Sequence, residues 1–304
     1  MTILILGGTD DEHPVHMHRY LLTRNHDAEF LDSREFPAQL TIQFDPVGGQ
    51  GEIVLASGRR LPLDSILSVY WRCYNGIGPI DLPDPEQAHI AHNDARSLFE
   101  SLLIHLPCRW VNGWDGFQLH QTKGAALARV AKLGVAIPAT LLANEPEAVR
   151  AFAAEHPQCI FKPVQGGAHT RRLTGEHLTD ANLANLKYAP VTLQEEIPGT
   201  NIRVFVAGDE VLACEIATCE VDFRDDPAVH IQPCELPPDI AGQSRQIARA
   251  LSLLWTGIDY RLTPEGKYYF LEANPSPMFL GFQEQAGLPL TEALAQLLTK
   301  TDIA

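Results

Sequence analysis

Tyr268-Tyr-Phe-Leu-Glu-Ala-Asn-Pro-Ser-Pro277, preceded by Gly257-Ile-Asp259, is the stretch on which fold and chemistry turn. Its aromatic and aliphatic start reads as a β-strand. Side chains alternate along a strand, so Glu272 and Asn274 project from one face. Asp259 lies 13 residues before Glu272, at the expected start of a neighbouring strand after Trp255-Thr-Gly. A hairpin turning at Pro264-Glu-Gly266 returns Glu272 beside it. Two carboxylates and an amide oxygen on paired strands suit a hard cation such as Mg²⁺, whose remaining positions go to phosphate oxygens and water. A solvated hairpin carrying ordinary polar residues is the competing reading. Apolar flanks on both strands count against it, because acids near a core need partners.

Upstream, two lysines stand in different settings. Lys123 falls in a helix expected over Phe117 to Leu133, with Leu127, Val130 and Ala131 on one side and Gly134 ending it in a left-handed conformation. Lys162 closes the short strand Cys159-Ile-Phe-Lys162 and precedes Pro163 and the turn Gln165-Gly-Gly-Ala-His169. An ammonium is a compact charge matched to a triphosphate, and backbone N–H groups at Gly166 and Gly167 are placed to close over phosphates. Either lysine alone is more often a plain surface charge. Leu193-Gln-Glu-Glu-Ile197-Pro-Gly then reads as an apolar strand ending in acids. Gln194, Glu195, Glu196 and Ile197 there offer backbone and carboxylate groups to an adenine amino group and ribose hydroxyls. Arg203 follows on the first strand of a hairpin, Ile202 to Val206 and Val211 to Ile216, turning at Ala207-Gly-Asp-Glu210. A fixed guanidinium there can hold a phosphate or a substrate carboxylate. Taken singly, an exposed hairpin with alternating charge explains these residues equally well.

Their order decides. Lys123 with Gly134-Val-Ala-Ile-Pro-Ala-Thr140, Phe161-Lys-Pro163, Gln194 to Ile197, Ile202-Arg-Val-Phe-Val206, Asp259 and Phe270-Leu-Glu-Ala-Asn-Pro275 resembles the ATP-grasp superfamily over about Phe117 to Leu298. That resemblance implies an α/β (α+β) chain in three parts: a pre-ATP-grasp α/β domain over 1–115, a central subdomain over 116–190, and a C-terminal subdomain over 191–304 carrying the magnesium site. It implies ATP and Mg²⁺ as cofactors. Lys123 and Lys162 would meet the phosphates, Glu195, Glu196 and Ile197 the adenine and ribose, and Asp259, Glu272 and Asn274 the magnesium ions. Family members activate a carboxylate as an acyl phosphate and pass it to an amine, hydroxyl or thiol. Arg203, Arg224 and Arg261 are candidates for steadying that acyl phosphate, and Gln165 to Thr174 for a lid.

Within the superfamily, Ser68-Val-Tyr-Trp-Arg72, Asp222-Phe-Arg224, Asp259-Tyr-Arg261 and Glu272 to Pro277 resemble the maturases that make graspetides, including the microviridin type. Those enzymes form ester or amide crosslinks in a ribosomally made precursor, so the implied partner is a peptide or protein, and a homodimer is the implied assembly. The ligases that add glutamate to a ribosomal protein's tail are also similar, although their Asp-Ile-Arg motif reads Asn201-Ile-Arg203 here. Cys73 follows Arg72 where a second basic residue is expected. Addition of an amino acid to a protein tail or small molecule is therefore the rival activity. A catalytically silent nucleotide-binding protein is the rival class, and a scaffold has no need of a magnesium triad.

Composition agrees with a soluble enzyme. The formal charge of −15 argues against a partner held through nucleic-acid phosphates. Six scattered cysteines without a C-x-x-C pair read as small buried hydrophobes in a reducing compartment. No signal peptide or membrane span is visible, so a cytoplasmic setting is expected. Further elements expected are a strand over Thr2 to Leu6 ending at Gly7-Gly8, short strands between Phe30 and Leu63, and a strand over Ser65 to Trp71. Helices are expected over His89 to Leu106 (Ile90, Leu98, Leu102 and Leu103 inward), from a cap at Asn144 through Phe152, over Gln243 to Leu254 (Ile247, Leu251 and Leu254 inward), and over Leu290 to Leu298. The G-x-G-x-x-G dinucleotide fingerprint is absent. Asp10, Asp11, Glu12, His13, His16 and His18 crowd together, but His18 is off the helix face shared by His13 and His16, which favours a polar loop and helix start over a metal site.

Overall fold

The apolar run Thr2–Leu6 becomes β1 and is buried at all five positions, as a strand covered on both faces requires. The computed structural model describes residues 1–165, 169–218, 220, 223–226 and 228–301, with Arg224 described by its backbone alone. After β1 the chain forms α1 (Glu12–Thr23) and β2 (Ala28–Leu31). A small antiparallel sheet follows, β3 (Thr41–Phe44), β4 (Gly51–Val54) and β5 (Arg60–Pro62). Then come β6 (Ile66–Trp71), α2 (Pro85–His105) and β7 (Arg109–Val111). The parallel sheet runs β2-β1-β6-β7, so strand order reverses between β1 and β6. Helix α2 buries Phe99, Leu102 and Leu103, but Ile90 and Leu98, expected inward, are 52% and 37% exposed. Its C-terminal half meets the core, from a half-buried Ala95 to Leu103, so helical spacing at Ile90 carries no burial.

The single helix expected around Lys123 is two: α3 (Trp114–Gln121) and α4 (Lys123–Ala131). Thr122 breaks it. Its backbone is non-helical, and its hydroxyl donates back to the carbonyls of Gln118 and Leu119. Lys123 thus opens a helix instead of sitting within one. Gly134 takes φ +76°, as expected of a helix terminator, and Val130 is buried, whereas Ala131 is exposed. Next come β8 (Thr140–Ala143) and α5 (Pro146–Glu155). Glu145, not Asn144, caps α5, because Pro146 fixes the first helical position and the cap falls on its predecessor. β9 (Cys159–Pro163), β10 (Arg171–Arg172), α6 (Asp180–Leu183) and β11 (Val191–Glu195) complete an antiparallel sheet ordered β10-β9-β11-β8.

The last sheet takes β12 (Thr200–Ala207), β13 (Glu210–Ala217) and β14 (His230–Pro233). After α7 (Pro238–Ala250) it adds β15 (Trp255–Leu262) and β16 (Tyr268–Asn274), in the order β14-β13-β12-β15-β16. One face, with Val204, Ile258, Tyr260 and Ala273, packs with Val130 of α4 and Ile247 of α7. The other, with Phe205 and Trp255, packs against α8 (Leu280–Ala286), α9 (Leu290–Thr299) and the first sheet through Ile3 and Tyr70. Leu254, expected on the inner face of a longer helix, is 40% exposed, because α7 ends at Ala250 and the chain turns through Ser252 at φ +58°. Among the described residues, five cysteines are free and no helix is long and apolar enough to cross a membrane.

Candidate active site

The hairpin from β15 to β16 turns through Gly266 at φ +84° and sets Asp259 directly opposite Glu272. On its other side β15 pairs with β12, which sets Arg203 opposite Asp259. One row across three strands therefore reads Arg203, Asp259, Glu272. The Arg203 Nε lies 2.6 Å from Asp259 Oδ1, but its N–H is misaligned, so the contact is an ion pair and not a hydrogen bond. At the far end, Lys123 Nζ donates to Glu272 Oε2 at 2.7 Å. Two adjacent acids are thus bracketed by two cations. Burial pushes the Asp259 carboxyl above the usual carboxylate range and Glu272 adds to this, while Arg203 opposes it. Burial also lifts Glu272, but Lys123, with Lys162 and Arg203 adding to it, outweighs that and holds it below its usual range.

A second sheet faces this row. Lys162 on β9 sits opposite Thr192 of β11 and donates to Gln194 Oε1 at 3.2 Å. Burial lowers the Lys162 pKa, partly offset by the field of Glu272, and Lys123 lowers it further. Both lysines and both acids therefore converge from two sheets and a helix start. Gln194, expected at the nucleotide, is buried, and its amide also donates to Thr140 Oγ1 at 2.9 Å. Its Oε1 thus holds Lys162 and its Nε2 holds Thr140, at the wall of the cleft between the two sheets.

Between the sheets lies a cleft of about 510 Å³, lined by Ile160, Lys162, Glu195, Glu196, Ile197, Arg261 and Leu271 among others. A neighbouring space of about 490 Å³ reaches Lys123, His120 and Glu272, and Lys162 and Leu271 border both. Leu271 is the extra residue of a β-bulge: the register steps from Tyr260 opposite Phe270 to Asp259 opposite Glu272. Beyond the bulge alternation resumes, and Asn274, opposite Gly257, shares the face of Glu272. Asn274 Oδ1 accepts the Ser276 N–H at 2.9 Å, which leaves that oxygen a second lone pair.

The remaining expected residues divide. Glu195 Oε2 accepts the Ala139 N–H at 3.3 Å, and Glu196 is paired with Arg172 at 2.7 Å. Arg261 donates through Nε to the Ile197 carbonyl at 3.1 Å and through Nη1 to Asn201 Oδ1 at 2.8 Å. It therefore belongs with the Gln194 to Ile197 end of the cleft and not beside the acid pair. Gly166, Gly167, Asp222 and the side chain of Arg224 lie outside the described residues. Of the expected lid, Arg171 and Arg172 pair with β9, and His169 meets Asp225 at 2.6 Å.

The crowded acids and histidines near the N-terminus have separate tasks. Asp10 pairs with Arg34, Asp11 caps α1 and pairs with Arg72, and His13 Nε2 accepts the Phe279 N–H at 3.0 Å. His16 bonds Thr291 Oγ1 and His18 the Ala28 carbonyl. Among the described residues no three His, Cys, Asp or Glu side chains gather for a metal. The Asp259–Glu272 platform supplies two carboxylates and an amide, a hard and incomplete donor set that fits a cation retaining phosphate and water ligands. Sequence reading missed Leu271 and His120, neither of which carries a spacing signal. It also missed Asn112, which is fully buried and bonds to Leu254, Trp255 and Pro275.

Two paired acids on a hairpin thus face a lysine from a second sheet across a cleft. The description of the RimK-like ATP-grasp domain matches residues 121–298, and the chain belongs to that family, with the ATP-grasp fold. A probable alpha-L-glutamate ligase of Shewanella oneidensis is 27% identical over 194 residues, covering 59% of this chain and 63% of that protein. The chain thus spans under two thirds of that relative's length. The solved ATP-grasp ligase PsnB, complexed with a phosphomimetic variant of its minimal precursor, Mg and ADP, is 30% identical, covers 98% of both chains and superposes with a TM-score of 0.82. The macrocyclase MdnC of Microcystis aeruginosa MRC, bound with the precursor peptide MdnA, is 24% identical and covers 99% of this chain and 100% of its own. Its TM-score of 0.85 speaks for the fold.

Proposed function

We propose that the chain is an ATP- and Mg²⁺-dependent carboxylate ligase that forms ester or amide bonds within a ribosomally made peptide or protein. The observation that carries this is the row Arg203, Asp259, Glu272, Lys123, met by Lys162 from the opposing sheet. The near full-length likeness to PsnB, held with a precursor variant, Mg and ADP, supports a peptide as substrate. When bound, Mg²⁺-ATP supplies the phosphoryl group that activates the carboxylate.

The chain's own groups then divide the work. Lys123 and Lys162 place two ammonium charges where phosphate charge must be offset. Asp259, Glu272 and Asn274 offer cation ligands. Glu195, Glu196, Ile197 and Leu271 shape the base and ribose end, with Arg261 bracing Ile197 and Gln194 bracing Lys162. Arg203 is the described arginine nearest the acids and the candidate for the substrate carboxylate. The three-part division belongs to the same proposal, with its second boundary moved past Glu195 because β11 hydrogen-bonds to β8 and β9. A homodimer in the cytoplasm is proposed on the resemblance to the maturases and is read by light scattering on the purified chain.

The test is mass spectrometry of a candidate precursor after incubation with enzyme, ATP and Mg²⁺. Loss of one water per bond supports crosslinking. Gain of an amino-acid residue supports the second reading, tail addition, which the likeness to the glutamate ligases favours.

A further inference from the structure

Strand order in the first sheet reverses between β1 and β6, and the chain leaves β6 through Arg72 at that crevice. The Arg72 side chain is 12% exposed and is held on two sides. Nε donates to Asp11 Oδ2 at 2.6 Å. Nη1 donates to the Ser276 carbonyl at 2.8 Å and to the Ser276 hydroxyl at 3.1 Å. That hydroxyl donates back to the Arg72 carbonyl at 2.7 Å. Ser276 in turn gives its N–H to Asn274 Oδ1. Asp11 is itself fixed, since Oδ1 accepts the His13 N–H at 2.9 Å. An unbroken polar chain therefore runs from the start of α1, through Arg72 and Ser276, to the amide at the end of β16.

We propose that Arg72 is a positioning residue for the cation platform: it clamps the turn after β16 from the first sheet and so sets the direction of the Asn274 amide. The proposal rests on the assignment of Asn274 as a cation ligand. It gives the N-terminal part a task in the chemistry although none of its side chains need touch ATP. An arginine is required because the clamp pulls in two fixed directions at once. A lysine ammonium, a point charge on a flexible stem, can satisfy one side only.

The experiment is a Mg²⁺ titration of ATP binding, followed by calorimetry on the full-length chain, for wild type, Arg72→Lys, Asp11→Asn, Asn274→Ala and Glu272→Gln. Arg72→Lys and Asp11→Asn are expected to raise the Mg²⁺ concentration at half-saturation about tenfold, the usual effect of loosening a group that orients a metal ligand. ATP binding without Mg²⁺ should stay at its wild-type strength. Adding Arg72→Lys to Asn274→Ala should give no further shift, since both act through one amide. A structural role alone would lower the unfolding temperature and leave the Mg²⁺ half-point of the folded protein in place. That result, or full additivity in the double variant, overturns the proposal. If Glu272→Gln also leaves the Mg²⁺ dependence intact, the platform assignment falls with it. If Glu272→Gln shifts it and Arg72→Lys does not, only the clamp is wrong.

Discussion

Asn112→Ala should be among the most damaging single changes in the molecule. Asn112 opens the loop between β7 and α3 and is fully buried. Its Oδ1 accepts the N–H groups of Leu254 at 2.7 Å and Trp255 at 3.0 Å. Its Nδ2 donates to the carbonyls of Trp255 and Pro275, both at 2.6 Å. One side chain thus ties the start of β15 to the turn after β16, the two strands that carry the acids. Alanine leaves four backbone groups, three of them buried, without this partner. A buried polar group stripped of its partner costs about 1–3 kcal/mol, so three at the lower bound come to about 3 kcal/mol. Domains of ordinary stability hold about 5–15 kcal/mol, which puts the variant near the edge of folding. Urea unfolding followed by tryptophan fluorescence measures it, since Trp255 lies at the site of damage. A loss below about 1 kcal/mol with an unchanged denaturant slope would show that Asn112 is not the tie described.

Three further outcomes are expected. Gly257→Ala puts a Cβ 2.8 Å from Pro277 Cβ and 2.9 Å from Arg203 Nη1. It should cost about 1–3 kcal/mol and lower peptide-dependent ATP turnover, which unfolding and phosphate-release assays check together. Gln194→Met keeps the volume but frees Lys162, so KM for ATP should rise while the unfolding temperature moves little. A KM unchanged from wild type would show that Lys162 needs no such support. Burial lowers the pKa of His13, whose ring must stay neutral at Nε2 to accept from Phe279. With the folded value below the unfolded one, stability is complete above pH ~6.5 and falls as acid is added, with a limiting slope of about 1.4 kcal/mol per pH unit. His13→Gln should flatten that limb between pH 7 and pH 5, as measured by urea unfolding across pH.

How far the sequence carried depended on whether a signal was local. The Asp259–Glu272 pairing was legible because Gly266 marks the turn and alternation does the rest. The bulge at Leu271 was not, since one inserted residue leaves the apolar pattern of Tyr268 to Leu271 unchanged. The lysines were found as charges in order along the chain. The split of the helix at Thr122 was hidden because it lies in that residue's backbone conformation, which no residue spacing reports. Ile90 and Leu98 misled because spacing reports a helix face and not whether anything covers it. Arg261 and Gln194 both line the cleft, and their bonds to Ile197 and Lys162 carry no spacing signal. Asn112 and Arg72 act through contacts more than 140 residues away in the chain, as the separations to Trp255 and Ser276 show. No spacing rule reaches that far.

The central claim is that one cleft gathers cations on two carboxylates opposite two ammonium groups in order to activate a peptide carboxylate. The most direct measurement couples ADP release to peptide mass for wild type, Lys162→Ala and Glu272→Ala with a candidate precursor and Mg²⁺. Wild type should release one ADP and lose one water per bond formed, and both variants should do neither while remaining folded. Full turnover in both variants would contradict it.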